Sequence, residues 1–264
     1  MKTALILPGG GSMGAAEVGA CRAILKKVKP DLIIGTSAGA LNAACIANGK
    51  DIADNLNKLE MIWKNATKGK WFPMNPGLFV KLHMAKSIYS HRGIYNQLKK
   101  NISVRTFEEL DIPVHVNCTN MIDGSTKFFS KGDLFDPVVA SCAVPPFFAP
   151  VYIDDVPYID GSISSYFGVK DAAKICKQII VVNVRSYQEY HKEKQNLSEY
   201  SEHAQSLITN QLIRDEIEIA KKLGARLIEI KVLVKNVHLT DFGHTEEFFK
   251  IGEDAAKEVL DEIR

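Results

Sequence analysis

The 264-residue chain is 46% hydrophobic and 24% charged, with a formal net charge of +2, an ordinary composition for a globular protein long enough to bury a substantial core. That near-neutral charge gives no electrostatic case for a nucleic-acid partner and leaves a neutral or lipid ligand open. The cysteines Cys21, Cys45, Cys118, Cys142 and Cys176 are scattered and form no C-x-x-C pair, which predicts free thiols in a reducing compartment and argues against a zinc site.

The chain opens with MKTALIL, whose apolar run Ala4–Leu7 stops at Pro8 and is too short for a signal-peptide core. Thr3–Leu7 reads instead as a short buried strand. The glycine-rich stretch Pro8–Gly11 follows, then a helix over Ser12–Val28 ended by Lys27, Lys29 and Pro30. Asp31–Gly35 is a second buried strand, Ala38–Ala47 a helix and Ile52–Asn65 an amphipathic helix. This strand–turn–helix order, repeated, predicts a mainly parallel central sheet flanked by helices. The stretch from Trp71 to Phe79 mixes aromatics with Pro73, Pro76 and Gly77 and reads as an apolar loop, serving equally a lid or a packed connection. Helices continue to about Lys100. Ile112–Ser130 reads as a hairpin turning at Asp123-Gly124, Asp133–Cys142 as a helix, and Val151–Asp160 as a short hairpin turning at Asp154-Asp155. Gln178–Val184 is a buried strand, Leu197–Leu223 a long helix, Arg226–Val232 a strand and Glu246–Ile263 a closing helix. The apolar region 137–153 holds prolines throughout and is no membrane span. One α/β domain over residues 1–264 is expected, with a cytoplasmic setting and at most peripheral membrane contact.

Two glycine turns carry the chemistry. Gly35-Thr36-Ser37-Ala38-Gly39 fits G-x-S-x-G between a strand and a helix, the context of a nucleophile elbow. The sharp turn strains the serine backbone and exposes its hydroxyl, and the helix N-terminus favours negative charge there. By chance this pattern occurs in roughly one such chain in ten, so it is weak alone. The run Gly9-Gly10-Gly11-Ser12-Met13-Gly14 is much rarer. On parallel neighbouring strands, both turns would sit at the sheet edge where ligands bind in α/β folds. A dinucleotide site using Gly9, Gly11 and Gly14 would need an acid at the end of the second strand; Asp31 stands at its start and Ser37 follows its end.

Ser37 needs a base. None of His83, His91, His115, His191, His203, His238 and His244 stands in a distinctive setting; His238 and His244 fall late enough for a Ser–Asp–His order. Asp-Gly-Ser occurs twice. At Asp123-Gly124-Ser125 a hairpin turn explains it. At Asp160-Gly161-Ser162 no returning strand follows, so Asp160 is the better functional carboxylate.

In that order, the glycine run, the G-x-S-x-G turn and Asp160-Gly161-Ser162 resemble the three sequence blocks of the patatin-like phospholipases. Ala140–Pro145, ASCAVP, resembles a further block, and the resemblance runs from Ala4 to about Val184. It implies a patatin-like α/β fold and a Ser–Asp dyad, with Ser37 as nucleophile and Asp160 as base. It places an oxyanion hole on Gly9, Gly10, Gly11, Ser12 and Gly14, with Gly35 and Gly39 shaping the elbow and Gly161 and Ser162 supporting the base. The implied substrates are phospholipids or other acyl-ester lipids, with no metal or cofactor. Two positions depart from the family pattern: Met13 replaces the usual Arg or Lys, and Ser162 replaces the usual Gly or Ala. A Ser–His–Asp esterase and a non-catalytic lipid-binding scaffold remain as rival readings.

Overall fold

The computed structural model describes residues 1–76, 87–187, 197–235, 237 and 240–263. Strands β1 (Thr3–Leu7) and β2 (Leu32–Gly35) are flanked by helices α1 (Gly14–Lys27), α2 (Ala38–Ile46) and α3 (Ile52–Lys64). After the short α4 (Lys68–Trp71) and α5 (Arg92–Asn101) come the hairpin β3 (Val114–Asn120) and β4 (Thr126–Phe129), then α6 (Phe135–Ser141). A second hairpin, β5 (Val151–Ile153) and β6 (Val156–Asp160), precedes α7 (Val169–Ile175). The chain closes with β7 (Gln178–Tyr187), α8 (Leu197–Lys222), β8 (Arg226–Lys235) and α9 (Thr245–Glu258).

All eight strands form one sheet, ordered β5-β6-β3-β2-β1-β7-β8, with β4 also paired to β3. The β3-β2-β1-β7-β8 portion is parallel, and β4, β6 and β5 add antiparallel pairings at one end. The expected mainly parallel α/β architecture is therefore what the chain adopts. The inner strands are continuous apolar runs because both faces are covered. Leu5, Leu7 and Ile33 pack with α1, α2, α3 and α9, while Ala4, Ile6, Leu32 and Ile34 pack with α7 and α8. Alternation along each strand delivers side chains to both layers.

Several boundaries differ from the sequence reading. The expected Ser12–Val28 helix starts as a 3-10 turn over Gly11–Met13 before α1, because the positive φ values at Gly9, Gly10 and Gly11 delay regular helix. The closing helix ends at Glu258 and tightens into a 3-10 turn over Leu260–Glu262. Helix α7 had no predicted counterpart; it starts after Gly168 at φ 74°. The five cysteines are all free. Among the described residues no helix is long and apolar enough to cross a membrane.

Helices α1 and α9 touch backbone to backbone. A Cβ on Gly19 would lie 2.0 Å from the Phe249 carbonyl oxygen, and one on Gly252 would lie 1.9 Å from that of Ala16. Two glycines thus face each other's helix, and the crossing tolerates no side chain at either. Gly252→Ala is expected to lower stability by about 1–3 kcal/mol through forced separation of the helices, read from the midpoint of urea unfolding.

Candidate active site

Ser37 sits between β2 and α2 with φ 56° and ψ −128°, a conformation rarely adopted by a residue with a Cβ, costing about 1–3 kcal/mol. Its surroundings hold it there. The Ser37 amide donates to Ser141 Oγ at 2.8 Å, and that hydroxyl donates to the Asn117 carbonyl at 2.7 Å. Small neighbours let the turn close: a Cβ on Gly39 would lie 1.9 Å from the Leu7 carbonyl oxygen, and one on Gly35 2.5 Å from Ala40 Cα. Ser37 is half-exposed while Thr36 and Ala38 are buried, so the hydroxyl is presented at the end of the sheet.

The first glycine turn lies directly against this elbow. A Cβ on Gly9 would meet the Thr36 carbonyl oxygen at 2.5 Å and Ser37 Cβ at 3.0 Å. Within the loop the amides have different employments. Gly9 donates its N–H to Glu17 Oε1 at 2.7 Å, and Gly14 donates to the carbonyls of Gly11 and Ser12. Neither amide is free for an oxyanion, which corrects the expectation for Gly9 and Gly14; both contribute shape instead. Gly14 is where α1 passes Trp63 and Ala38, with a would-be Cβ 2.8 Å from the Trp63 ring. Ser12 is buried. Gly10 and Gly11 are the half-exposed members of the run, and among the described residues their amides have no partner. Met13 is buried, its methyl carbon 3.5 Å from where a Gly10 Cβ would stand. It packs under the loop and brings no charge.

Asp160 ends β6 and pairs with Cys118 of β3. Strand β3 runs on past β2, whose Gly35 pairs with Val116. The antiparallel β6 lies along this extension, so its C-terminal end returns towards that of β2. Asp160 is buried at 1% exposure. Its backbone N–H donates to the Ala143 carbonyl at 3.2 Å, and Thr119 Oγ1 donates to its carbonyl at 2.8 Å. Oδ1 accepts from the Ser162 amide at 2.9 Å and the Ser162 hydroxyl at 2.7 Å. Gly161 passes so close to Asn117 that a Cβ would lie 2.4 Å from its carbonyl oxygen. Burial pushes the Asp160 carboxyl above the usual carboxylate range, opposed by the Ser162 bonds and by the Ser37 side chain. Oδ2 is buried and forms no hydrogen bond of good geometry among the described residues. The ASCAVP block therefore touches both residues, through Ser141 to Ser37 and through Ala143 to Asp160.

Three of the histidines have other partners. His115 pairs with Asp171, His91 stacks on Phe148, and His244 contacts Asp241 and Glu247. His83, His191 and His238 lie outside the described residues. Among the described residues no three His, Cys, Asp or Glu side chains group as metal ligands. Of the expected loop, Trp71 and Phe72 pack against Trp63, Tyr89, Phe148 and Phe242, which makes this part a packed connection; residues 77–79 lie outside the described residues.

Sequence reasoning missed Glu17, Asn42 and Trp63. Glu17 is wholly buried, and Asn42 links it to Trp63: Asn42 Nδ2 donates to Glu17 Oε2 at 2.8 Å and Trp63 Nε1 donates to Asn42 Oδ1 at 2.9 Å. The available signal was an acid inside the otherwise small and apolar run GAAEVGA.

A sheet covered on both faces, with a serine turn, a glycine loop and a buried carboxyl at one edge, defines an α/β protein with a candidate active site at that edge. The family model for patatin-like phospholipases matches residues 5–173, and the chain belongs to that family of lipid acyl hydrolases. Patatin-like phospholipase domain-containing protein 7 of Mus musculus is 26% identical over 149 residues, covering 56% of this chain and 11% of that protein. Neuropathy target esterase sws of Drosophila grimshawi is 28% identical over 148 residues, covering 56% of this chain and 10% of that protein. The chain thus matches only about a tenth of the length of these relatives. The crystal structure of VipD from Legionella pneumophila shares the fold, with TM-score 0.53 and 14% identity over 99% of this chain and 66% of that one.

A buried carboxyl with one unpartnered oxygen costs stability once charged. The Asp160 pKa is raised on folding, so the unfolded chain loses its proton first as pH rises, and the folded state is progressively disfavoured until Asp160 itself ionises. Asp160→Asn is expected to raise stability at pH 7 by about 1–3 kcal/mol, with a smaller gain at pH 4. Urea unfolding at the two pH values measures this.

Proposed function

We propose that the protein is a metal-independent serine lipid acyl hydrolase, a phospholipase A, lysophospholipase or related esterase, with Ser37 as nucleophile and Asp160 as base. The observation that carries this reading is the buried, unpartnered Asp160 Oδ2 on a carboxyl that already feels the Ser37 side chain. Ser37 Oγ attacks the ester carbonyl carbon and passes its proton to Oδ2. The carbonyl oxygen becomes an oxyanion in front of the Gly10 and Gly11 amides, where one such donor is worth about 3–4 kcal/mol. Collapse of the tetrahedral intermediate breaks the bond to the leaving alcohol, which takes the proton from Asp160. Water then attacks the acyl-Ser37 ester with Asp160 again as base, and Ser37 recovers its proton as the fatty acid leaves.

A raised pKa suits this role. An ordinary carboxylate is too weak a base for a serine hydroxyl, and burial at Asp160 narrows that gap. Ser162 acts in the opposite direction, and its hydroxyl bond is one that Gly or Ala would not make. The family supports a lipid substrate, and the exposed Lys26, Lys27, Lys29, Lys68 and Lys70 suit peripheral contact with a membrane surface. Free thiols suit a cytoplasmic setting.

Purified protein is expected to hydrolyse a short-chain chromogenic ester and a fluorogenic phospholipid with chelator present. Ser37→Ala and Asp160→Asn should fold and lose at least about 1,000-fold in kcat, while His244→Ala keeps activity. Loss on His244→Ala would favour a Ser–His–Asp esterase, and an inert folded wild type would favour lipid binding without turnover. Activity should rise with pH through a midpoint above the usual carboxylate range, because the base works only when ionised; a pH–rate profile of kcat/KM measures that midpoint.

A further inference from the structure

We propose that Glu17 is a positioning residue of the oxyanion loop, fixing the Gly9 amide so that those of Gly10 and Gly11 face the reacting carbonyl. This inference rests on the acyl-hydrolase reading above. Glu17 lies one turn into α1, wholly buried beneath the loop. Its Oε1 accepts the Gly9 N–H at 2.7 Å, and its Oε2 accepts from Asn42 Nδ2 at 2.8 Å.

The orientation of Asn42 is fixed independently. Trp63 Nε1 can only donate, so it requires the Asn42 oxygen. The Gly14 carbonyl can only accept, so at 2.9 Å it requires the Asn42 nitrogen. Glu17 is thereby held from both sides, and its hold on Gly9 is rigid. With Gly9 taken, the chain reverses through φ 146° at Gly10 and 60° at Gly11, and the amides of these two half-exposed residues have no partner among the described residues. Trp63 stacks on Trp71 with ring centroids 5.4 Å apart, so the relay is anchored in the aromatic core.

The charge on Glu17 matters because it lies behind the donors that meet a negative oxygen. Two N–H donors favour the carboxylate. Complete burial opposes it, and among the described residues no cation pairs with it. The balance puts its pKa at about 8. The other titratable groups facing it are Cys21 on α1 and Tyr166 before α7, both pushed upward chiefly by burial and in part by Glu17. Both therefore stay neutral through this range. Tyr166 is also influenced by Arg185 and Asp160. As pH rises through about 8, a negative charge appears under the loop and opposes the oxyanion. Asp160 shapes the ascending limb of the pH profile, and Glu17 the descending one.

The test joins two readouts on the full chain. With selective 15N-glycine labelling, the Gly9 amide proton of wild type should move downfield with a midpoint near pH 8 as its acceptor ionises. In ester hydrolysis, kcat of wild type should fall on the order of tenfold above that midpoint with KM little changed, under conditions where thermal melts show the fold intact. Glu17→Gln places an Nε2 donor against Asn42 Nδ2. It should lower kcat about tenfold at pH 7 and abolish both the alkaline limb and the Gly9 titration. If Glu17→Gln does not fold, Trp63→Phe, which frees Asn42, should give a smaller fall in kcat with a displaced Gly9 signal. A Gly9 amide that does not titrate, or a Glu17→Gln variant keeping wild-type kcat and pH profile, overturns the inference. Titration at Gly9 with no ester hydrolysis by wild type overturns the acyl-hydrolase reading and, with it, the catalytic role of Glu17, while leaving its bond to Gly9.

Discussion

The site is organised around the backbone strain at Ser37. A residue with a Cβ at φ 56° and ψ −128° relaxes unless its neighbours over-determine it. Here the constraint comes from distant segments. Ser141 Oγ takes the Ser37 amide and ties it to the Asn117 carbonyl on β3, while Gly39 lets α2 press against the end of β1. The Ser141 hydroxyl both accepts and donates here, which a methyl group could not do. The same block fixes the carboxyl, since the Ala143 carbonyl accepts from the Asp160 amide. Ser37 and Asp160 are both held by one short segment, through Ser141 and Ala143.

The sheet supplies the other half of the geometry. Parallel strands put the two glycine turns at one edge, since β1 and β2 end side by side. A parallel β6 would have ended pointing past β3. Its antiparallel pairing to the extension of β3 turns its last residue back to Ser37. The mixed sheet is therefore a requirement of the site as well as a feature of the fold.

Much of this was legible in the sequence. The strand–glycine–helix repeats, both hairpin turns and the parallel core follow from local patterns of apolar and turn residues. The employment of individual amides in the glycine run was not legible. Gly9 and Gly14 read like Gly10 and Gly11 in the sequence, yet Gly9 is claimed by Glu17 and Gly14 by the turn itself. A hydrogen bond accepted by a buried side chain on the following helix leaves no periodic trace. Helix α7 was missed for a related reason: its start depends on Gly168 adopting φ 74° against Phe128 and Ile34, a tertiary contact.

The two Asp-Gly-Ser triplets mark the division most sharply. Both make the same two local hydrogen bonds: each aspartate accepts from the amide and the hydroxyl of the serine two residues on. Asp123 is exposed, and those bonds pull its carboxyl below the usual range. Asp160 is buried, and desolvation outweighs the same two bonds and drives its carboxyl upward. A turn needs only neighbouring residues, so the sequence specifies it. The proton affinity of a carboxyl depends on how much water surrounds it, which only the packing of β3, β6 and α6 decides.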